Sequence, residues 1–189
     1  DYTTLTKPTD VEQVHAVVPI PGASKALYMG GTNLSDDLLL YTTRKVTGLV
    51  PNATYTGRFT ATFASDAPAG CAGVGGSPGE SVWLIGAVSK TKPENIQTRE
   101  DFRLNISRGN QSTAGDSSDV LGTIGVSGIP CTGNNRQAAI KSLGPSKWIP
   151  FTTDDTGSAC ILVGLDSGFE SYSRIWLQSV KFTYQPSVL

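Results

Sequence analysis

Apolar and polar side chains alternate strictly in the middle of the chain, and this pattern predicts a half-buried β-strand. Five consecutive odd positions are apolar or small: Tyr55, Gly57, Phe59, Ala61 and Phe63. The even positions from Thr54 to Thr62 are polar. A period of two places one set of side chains in a core and the other in solvent. Pro51 and Asn52 supply a turn before this strand, so residues 44–64 are predicted as a hairpin around which the core forms.

Shorter apolar runs predict further strands on both sides of this hairpin. The predicted strands are residues 11–18, 25–29, 38–41, 81–89, 101–106, 120–126, 138–140, 148–151, 161–165 and 173–184. Residues 30–37, 66–79 and 109–119 are rich in Gly, Ser, Asp or Pro and are predicted as loops. Residues 92–101 are the only stretch that suits a helical turn.

The last predicted strand changes its parity part-way along. Ile175 and Leu177 belong to one set of alternating positions, whereas Val180, Phe182 and Tyr184 belong to the other. A bulge near residues 178–179 would keep all five side chains on one face. The alternative is that both faces of the first half are covered. We favour the bulge.

Length and composition fit one all-β domain. A chain of 189 residues with 21 Gly and 11 Pro is typical of an antiparallel β-sandwich with short strands, long Gly/Pro loops and at most one helical turn. We expect an extended N-terminal arm over residues 1–10 and a single domain over residues 11–189. The net charge of −1 gives no reason to expect nucleic acid or an anionic membrane as a partner. No apolar run approaches the roughly 18 residues that a membrane span needs.

Three cysteines allow one disulfide. Cys71 and Cys131 lie in Gly/Pro loops, where a covalent link is useful, and Cys160 opens an apolar run. We therefore predict a Cys71–Cys131 bond and a buried free thiol at Cys160, although spacing does not fix the connectivity. The absence of a Cys-X-X-Cys pair and the single His argue against a zinc site. We expect a secreted protein. The chain starts at Asp1 without Met and carries no signal peptide, so if it is secreted the signal has already been removed.

Four asparagines begin Asn-X-Ser/Thr sequons: Asn33, Asn52, Asn105 and Asn110. They would be glycan acceptors in a secreted eukaryotic protein. The other interpretation, which we favour, is that they stabilise turns in a chain rich in Ser and Thr.

Two runs carry a resemblance to a known family. VTGLVPNATYTGRFTATFA and SRIWLQSVKF resemble the galactose-binding-like jelly rolls of the carbohydrate-binding-module type. Residues 35–41, 70–82, 103–112 and 164–170 also resemble a group of secreted bacterial proteins of unassigned function. The first resemblance implies a jelly roll and carbohydrate binding.

Such jelly rolls commonly hold a structural calcium ion between an acidic residue of the opening strand and an Asp of the last strand. In this chain Gln178 or Ser179 stands where that Asp is expected, and the opening strand is absent or shortened. Calcium is therefore a possible cofactor, and its ligands are unknown. A shortened opening strand would also leave a sheet edge that another chain could fill.

Candidate ligand-binding residues lie in the polar loops. Asp36 and Asp37 could face a cation or sugar hydroxyls, or they could stabilise a turn. Asn110 and Gln111 could bond sugar hydroxyls, with bonding inside their own loop as the alternative. Trp148 follows a Gly-Pro-Ser-Lys turn, and it is the best candidate for an exposed aromatic surface that packs on a sugar ring.

Glu80 is predicted to form a structural ion pair with Arg103. The alternative is that its carboxylate accepts hydrogen bonds from backbone N–H groups of its own loop.

These observations predict a secreted, non-catalytic module that binds glycans or mediates adhesion. The alternative is an extracellular structural subunit that assembles with copies of itself by donating the Thr-rich N-terminal arm as a strand. A hydrolase is the weakest of the three. His15 is the only residue that could serve a Ser-His-Asp triad, and no serine lies in a nucleophile-elbow motif.

Overall fold

All the helices and strands that the structure describes are β-strands. The computed structural model describes residues 2–21, 23–133 and 137–187. Over these residues the strands are β1 (Tyr2–Thr3), β2 (Thr9–Val17), β3 (Lys25–Thr32), β4 (Leu38–Val46), β5 (Thr54–Ser65), β6 (Val82–Ser89), β7 (Asn95–Thr98), β8 (Asp101–Leu104), β9 (Gly109–Asn110), β10 (Thr113–Ala114), β11 (Ser118–Thr123), β12 (Ala139–Leu143), β13 (Ile149–Thr152), β14 (Ala159–Ser167) and β15 (Tyr172–Pro186).

Two antiparallel sheets face each other. The four-stranded sheet has the order β11-β6-β14-β4. The large sheet has the order β12-β5-β15-β3-β2, and β13 follows β12 along the same edge of β5. The successive strands β3, β4, β5 and β6 alternate between the two sheets, as do β14 and β15. This is the strand order of a jelly roll, and the predicted fold class is confirmed.

Side-chain alternation in β5 fills the space between the sheets, as its pattern predicts. Phe59 and Phe63 are completely buried and Tyr55 is 6% exposed. They join a core that also includes Leu84 from β6 and Leu165 from β14.

The predicted hairpin over residues 44–64 is wrong in its pairing. β4 pairs with β14 in the four-stranded sheet, whereas β5 pairs with β15 in the large sheet. The connection between them is an arch from one sheet to the other. It is seven residues long rather than the two residues of a tight hairpin. Its backbone bonds elsewhere, because Leu49 N donates to Gly157 O and Asn52 N donates to Asp154 O.

The predicted bulge in the last strand is present. The pairing of β15 with β5 shifts between Leu177 and Ser179, so that Leu177 lies opposite Phe63 and Ser179 lies opposite Thr62. After the shift, Val180 and Phe182 pack against the same core as Ile175 and Leu177.

The predicted helical turn over residues 92–101 is a β-hairpin instead. β7 and β8 pair antiparallel, and Arg99 in the turn between them has a φ of 58°. Residues 30–32, predicted as loop, extend β3 to Thr32. The N-terminal arm pairs with its own chain, because β1 lies beside β8 and the ring of Tyr2 stacks on Phe102 at 4.8 Å.

The disulfide predicted between Cys71 and Cys131 is formed, with 5.6 Å between the Cα atoms. Cys160 is a free thiol that is half-buried rather than buried. Burial raises the pKa of this thiol, with Lys45 acting in the opposite direction.

Candidate functional site

A groove runs along one side of the sandwich, because the large sheet is incomplete there. β15 pairs with β3 only from Tyr172 to Leu177. From Ser179 to Pro186 its only partner strand among the described residues is β5. The facing edge of the four-stranded sheet is β4, and within the same part of the chain it pairs with β14 alone. Between these two open edges lies a groove of about 790 Å³, which we call the side groove.

The side groove is lined by three strands. Its lining consists of residues 42–47 of β4, Ile161 and Val163 of β14, and Val180, Lys181, Phe182 and Tyr184 of β15. The floor is apolar, because Ile161 and Val163 belong to the buried core and Val180 and Phe182 pack on it. The ring of Phe182 lies 4.8 Å from that of Phe59 and 5.9 Å from that of Tyr184. Tyr184 is 43% exposed and therefore presents an aromatic surface to solvent.

Arg44 has an inward position along β4, although it is charged, and it is exposed at the open edge of the sandwich. It has the same parity along β4 as Leu40 and Val46, which pack on the inner core, and it lies directly opposite Ile161. Leu39 and Tyr41, of the other parity, pack on the outer face of the sheet. Arg44 forms no hydrogen bond or ion pair with any residue that the structure describes.

Every charged side chain among the described lining residues is positive. Arg44 has an inward position on β4, and Lys45 and Lys181, of the opposite parity in their strands, stand at the two rims; all three residues are exposed. No carboxylate is among the lining residues that the structure describes. Thr42, Thr43 and Thr47 add hydroxyl groups that can donate or accept hydrogen bonds. The groove thus offers cations, hydroxyls and aromatic rings along one open channel.

Three of the predicted ligand-binding residues lie elsewhere, at a buried ion-pair cluster. Arg108 Nη2 bonds Asp37 Oδ1 at 2.8 Å, and Arg108 Nη1 also bonds Asp166 Oδ2. The backbone N–H of Gln111 donates to the same Asp166 oxygen at 2.7 Å, and its side-chain amide donates to Asp36 O at 2.7 Å. The structure therefore brings Asp36, Asp37 and Gln111 together, but around a guanidinium of the same chain.

The ion-pair cluster is deeply buried, and this perturbs Asp166. Asp166 is completely buried and Arg108 is 4% exposed. Burial, together with the negative charge of Asp37, raises the pKa of Asp166 to about 6, although Arg108 and the N–H of Gln111 oppose the shift. Asp166 Oδ1 is buried and accepts no hydrogen bond from the described residues.

The position of the ion-pair cluster indicates a structural role. It joins the excursion between β6 and β11, which carries Arg108 and Gln111, to the end of β14. In the same excursion Leu104 and Ile106 pack on the outer face of the four-stranded sheet. The cluster therefore anchors a segment that covers this face.

The other two predicted ligand-binding residues, Asn110 and Trp148, lie neither in the side groove nor in the ion-pair cluster. Asn110 is exposed in β9 and faces Thr113 of β10. Trp148 is 39% exposed, and the guanidinium of Arg58 lies over its ring at 4.5 Å. One face of the Trp148 ring is thus already covered. The five candidates do not converge on one site.

Glu80 does not form the predicted ion pair with Arg103. Its carboxylate accepts two other hydrogen bonds: Oε1 accepts from Gly70 N at 2.9 Å, and Oε2 accepts from the Ser77 hydroxyl. The Ser77 bond is the main reason that the pKa of Glu80 is lowered. The alternative interpretation, bonding within its own loop, is the one that the structure supports. Arg103 is on the exposed face of β8.

The sequons differ in exposure. Asn33 is completely buried, and its side-chain amide donates to Ser167 O at 2.7 Å. Asn105 is exposed, but its amide bonds Lys92 O and accepts from Glu94 N. Asn33 Oδ1 also accepts a hydrogen bond from Ser35 N, two residues on, so Asn33 stabilises a turn as we favoured, whereas Asn105 joins two segments of the chain. Asn52 and Asn110 are exposed.

No group of three or more His, Cys, Asp or Glu side chains suited to a metal ion occurs in the part of the chain that the structure describes. Gln178, at the bulge of β15, is exposed. Structural calcium stays a prediction. No helix long and apolar enough to cross a membrane occurs within residues 2–21, 23–133 and 137–187.

No protein-family model and no curated protein matches the chain. The fold is similar to a solved structure that concerns the promiscuous specificity of carbohydrate-binding modules from the β-sandwich superfamily. The two share 13% sequence identity with a TM-score of 0.36, and the match covers 94% of this chain and 56% of that one. This chain thus spans little more than half the length of the chain it matches. A likeness of this degree carries no argument about a ligand.

The side groove was not found by sequence reasoning. Its residues come from strands that are far apart in sequence, and its existence depends on where β3 begins. One signal was present: Arg44 interrupts the apolar positions of β4 in phase with Leu40 and Val46. A charge at an inward position of a strand indicates either an edge or a site.

Proposed function

We propose that this protein is a secreted, non-catalytic module that binds an extended glycan chain in the side groove. The observation that carries the proposal is the lining of the groove. Tyr184 and Phe182 supply aromatic rings, and residues 42–47 supply hydroxyl groups and positive charges. The groove is open along its length. Sugars are bound by aromatic surfaces that pack on the C–H face of the ring, with polar groups around them for the hydroxyls.

Secretion is supported by the Cys71–Cys131 disulfide. Disulfides persist in oxidising compartments and are rare in the reducing cytosol. The jelly-roll fold by itself does not choose a function, because the same scaffold carries many unrelated sites.

Replacing Tyr184 with Ala tests the groove. We expect binding to an immobilised or titrated oligosaccharide to weaken by about two- to tenfold, because an aromatic contact of about 0.5–1.5 kcal/mol is lost. The measurement is affinity electrophoresis over a panel of soluble polysaccharides, followed by calorimetry on those that retard the protein. Assay of reducing ends after long incubation checks that no chain is cleaved.

Trp148→Ala is the matched control. Trp148 is similarly exposed, at 39% against 43% for Tyr184, but it does not line the side groove. Its replacement should leave affinity unchanged. If Trp148→Ala abolishes binding and Tyr184→Ala does not, the ligand lies on the Trp148 surface and the groove assignment is wrong.

A second candidate function, assembly with copies of itself, is favoured by the open edge of β2. Among the strands that the structure describes, this nine-residue strand pairs only with β3, and it exposes Val11, Val14 and Val17 by 43–63%. An exposed edge of this length is a template for pairing with another chain. Because the N-terminal arm pairs with β8 of its own chain, we place the contact on β2 rather than on residues 1–10.

Light scattering after size exclusion, over a range of concentrations, tests this second candidate. We expect the wild type to form larger species and Val14→Lys to remain a monomer, because a charge on the edge disfavours strand pairing. Leu5→Lys is the control, since Leu5 is 90% exposed and lies outside the strands. A wild type that is monomeric at every concentration removes this function.

A further inference from the structure

The side groove concentrates positive charge. Arg44, Lys45 and Lys181 line it, and no carboxylate is among the lining residues that the structure describes. Asp154 is close enough to Lys45 to interact with it: the pKa of Asp154 is lowered mainly by its hydrogen bond with the Thr156 hydroxyl and to a smaller extent by Lys45. A cleft that is lined by one sign of charge and has apolar walls focuses its field on whatever enters.

Arg44 is the residue that distinguishes this groove from an ordinary charged surface. It lies on the inner face of β4, opposite the core residue Ile161, and has no bonding partner among the described residues. Arg44 is exposed, so an anion from a ligand can reach its guanidinium without a change in the fold. Its planar set of N–H donors matches the two oxygens of a carboxylate.

We propose that the glycan bound in the side groove is a uronate polymer, with Arg44 binding a sugar carboxylate. This inference rests on the proposed function. In a uronate the carboxylate extends from the edge of the sugar ring, so it leaves the C–H face free for an aromatic contact. The aromatic rings of Phe182 and Tyr184 and the Arg44 guanidinium line the same groove. Lys45 and Lys181 at the rims suit the carboxylates of neighbouring sugars.

The test is a calorimetric titration with an oligomannuronate and with a mannan oligosaccharide of the same length and linkage. The two differ only in that the mannan carries a CH₂OH group where the uronate carries its carboxylate. We expect the uronate to bind at least tenfold more tightly to the wild type. Arg44→Gln should weaken uronate binding about ten- to hundredfold, as expected for the loss of a hydrogen-bonded charge pair, and should weaken mannan binding by much less. It should also make uronate binding less sensitive to salt.

Lys147→Gln is the matched control, since it removes one positive charge from an exposed residue outside the groove. It should not change affinity. Circular dichroism and a thermal melt of Arg44→Gln confirm that the variant is folded, which we expect because Arg44 is exposed.

Each of the remaining outcomes of these titrations contradicts a particular step of the proposal. Equal binding of mannan and uronate, with no effect of Arg44→Gln, keeps glycan binding and rejects the uronate. A sulfated oligosaccharide that binds more tightly than the uronate rejects the carboxylate. If polyglutamate binds through Arg44 as tightly as the uronate, or if no saccharide binds, the proposed function fails as well.

Discussion

Replacing Arg108 with Met should lower the free energy of unfolding by about 3–5 kcal/mol near pH 8, which is the usual cost of removing one partner from a buried ion pair. Arg108 bonds both Asp166 and Asp37. Without the guanidinium, two carboxylates face each other in a place from which water is largely excluded. Met keeps much of the length of the side chain, so packing should change little.

The loss should shrink as the solution is made acidic. The folded-state pKa of Asp166 is already raised from 3.8 to about 6, so the native state holds this proton more tightly than the unfolded chain does. For such a group the stabilising contribution is fully present below the unfolded pKa and is lost as pH rises through the folded pKa. Loss of Arg108 raises the folded-state pKa further. At about pH 5 Asp166 is therefore neutral in the variant, and most of the penalty disappears.

Urea unfolding followed by tryptophan fluorescence, near pH 5 and near pH 8, measures this difference. Arg108→Met combined with Asp166→Asn is the control, because it removes the buried charge along with its partner and should recover much of the stability at the higher pH. Equal losses at both pH values would show that packing, and not charge, is what Arg108 supplies.

The sequence was most informative where a single strand carries its own signal. The alternation from Tyr55 to Phe63 depends only on which face of β5 is buried, and the structure buries that face. The change of parity between Leu177 and Val180 is likewise a property of one strand, and it located the bulge. The Cys71–Cys131 bond followed from the loops around the two residues.

Which strands pair with each other was harder to predict from the sequence. Residues 44–64 were predicted as a hairpin, because a strand, a Pro-Asn turn and another strand look the same whether the chain returns to its own sheet or crosses to the facing one. The choice is made by partners that lie far away in sequence, since β4 finds β14 and β5 finds β15. The helical turn predicted for residues 92–101 was wrong for a similar reason. The first strand of the hairpin formed there is exposed, so its sequence shows no alternation of apolar and polar residues.

The side groove and the ion-pair cluster are formed by residues that lie far apart in sequence, so neither could be predicted from one segment alone. Asp36, Asp37 and Gln111 do meet, but through two buried residues without any local signal of burial. Arg108 bonds Asp37 and Asp166, and Asp166 in turn accepts from the backbone of Gln111. Glu80 and Arg103 are opposite in charge, yet Ser77 and Gly70 are close enough in sequence to satisfy Glu80 first. The side groove exists because β3 pairs with β15 no further than Leu177, which is a matter of strand length and register.

Removal of the disulfide is the other change that we expect to have a large effect. Cys71 and Cys131 are 60 residues apart, and opening a loop of this length releases conformational entropy in the unfolded chain worth about 4 kcal/mol. The double substitution Cys71→Ala/Cys131→Ala should lower the free energy of unfolding by about this amount. Reduction of the wild type should have the same effect, because in both cases the change acts on the unfolded state.

The denaturant dependence separates this mechanism from loss of packing. An uncrosslinked unfolded chain is more expanded, so the m-value in urea should rise along with the fall in midpoint. Cys160→Ala is the matched control, since it removes a half-buried thiol and keeps the crosslink. It should change stability by no more than about 1 kcal/mol and leave the m-value unaltered. A wild type whose urea midpoint is the same before and after reduction would show that the crosslink contributes nothing to stability, and this support for an extracellular setting would then be lost.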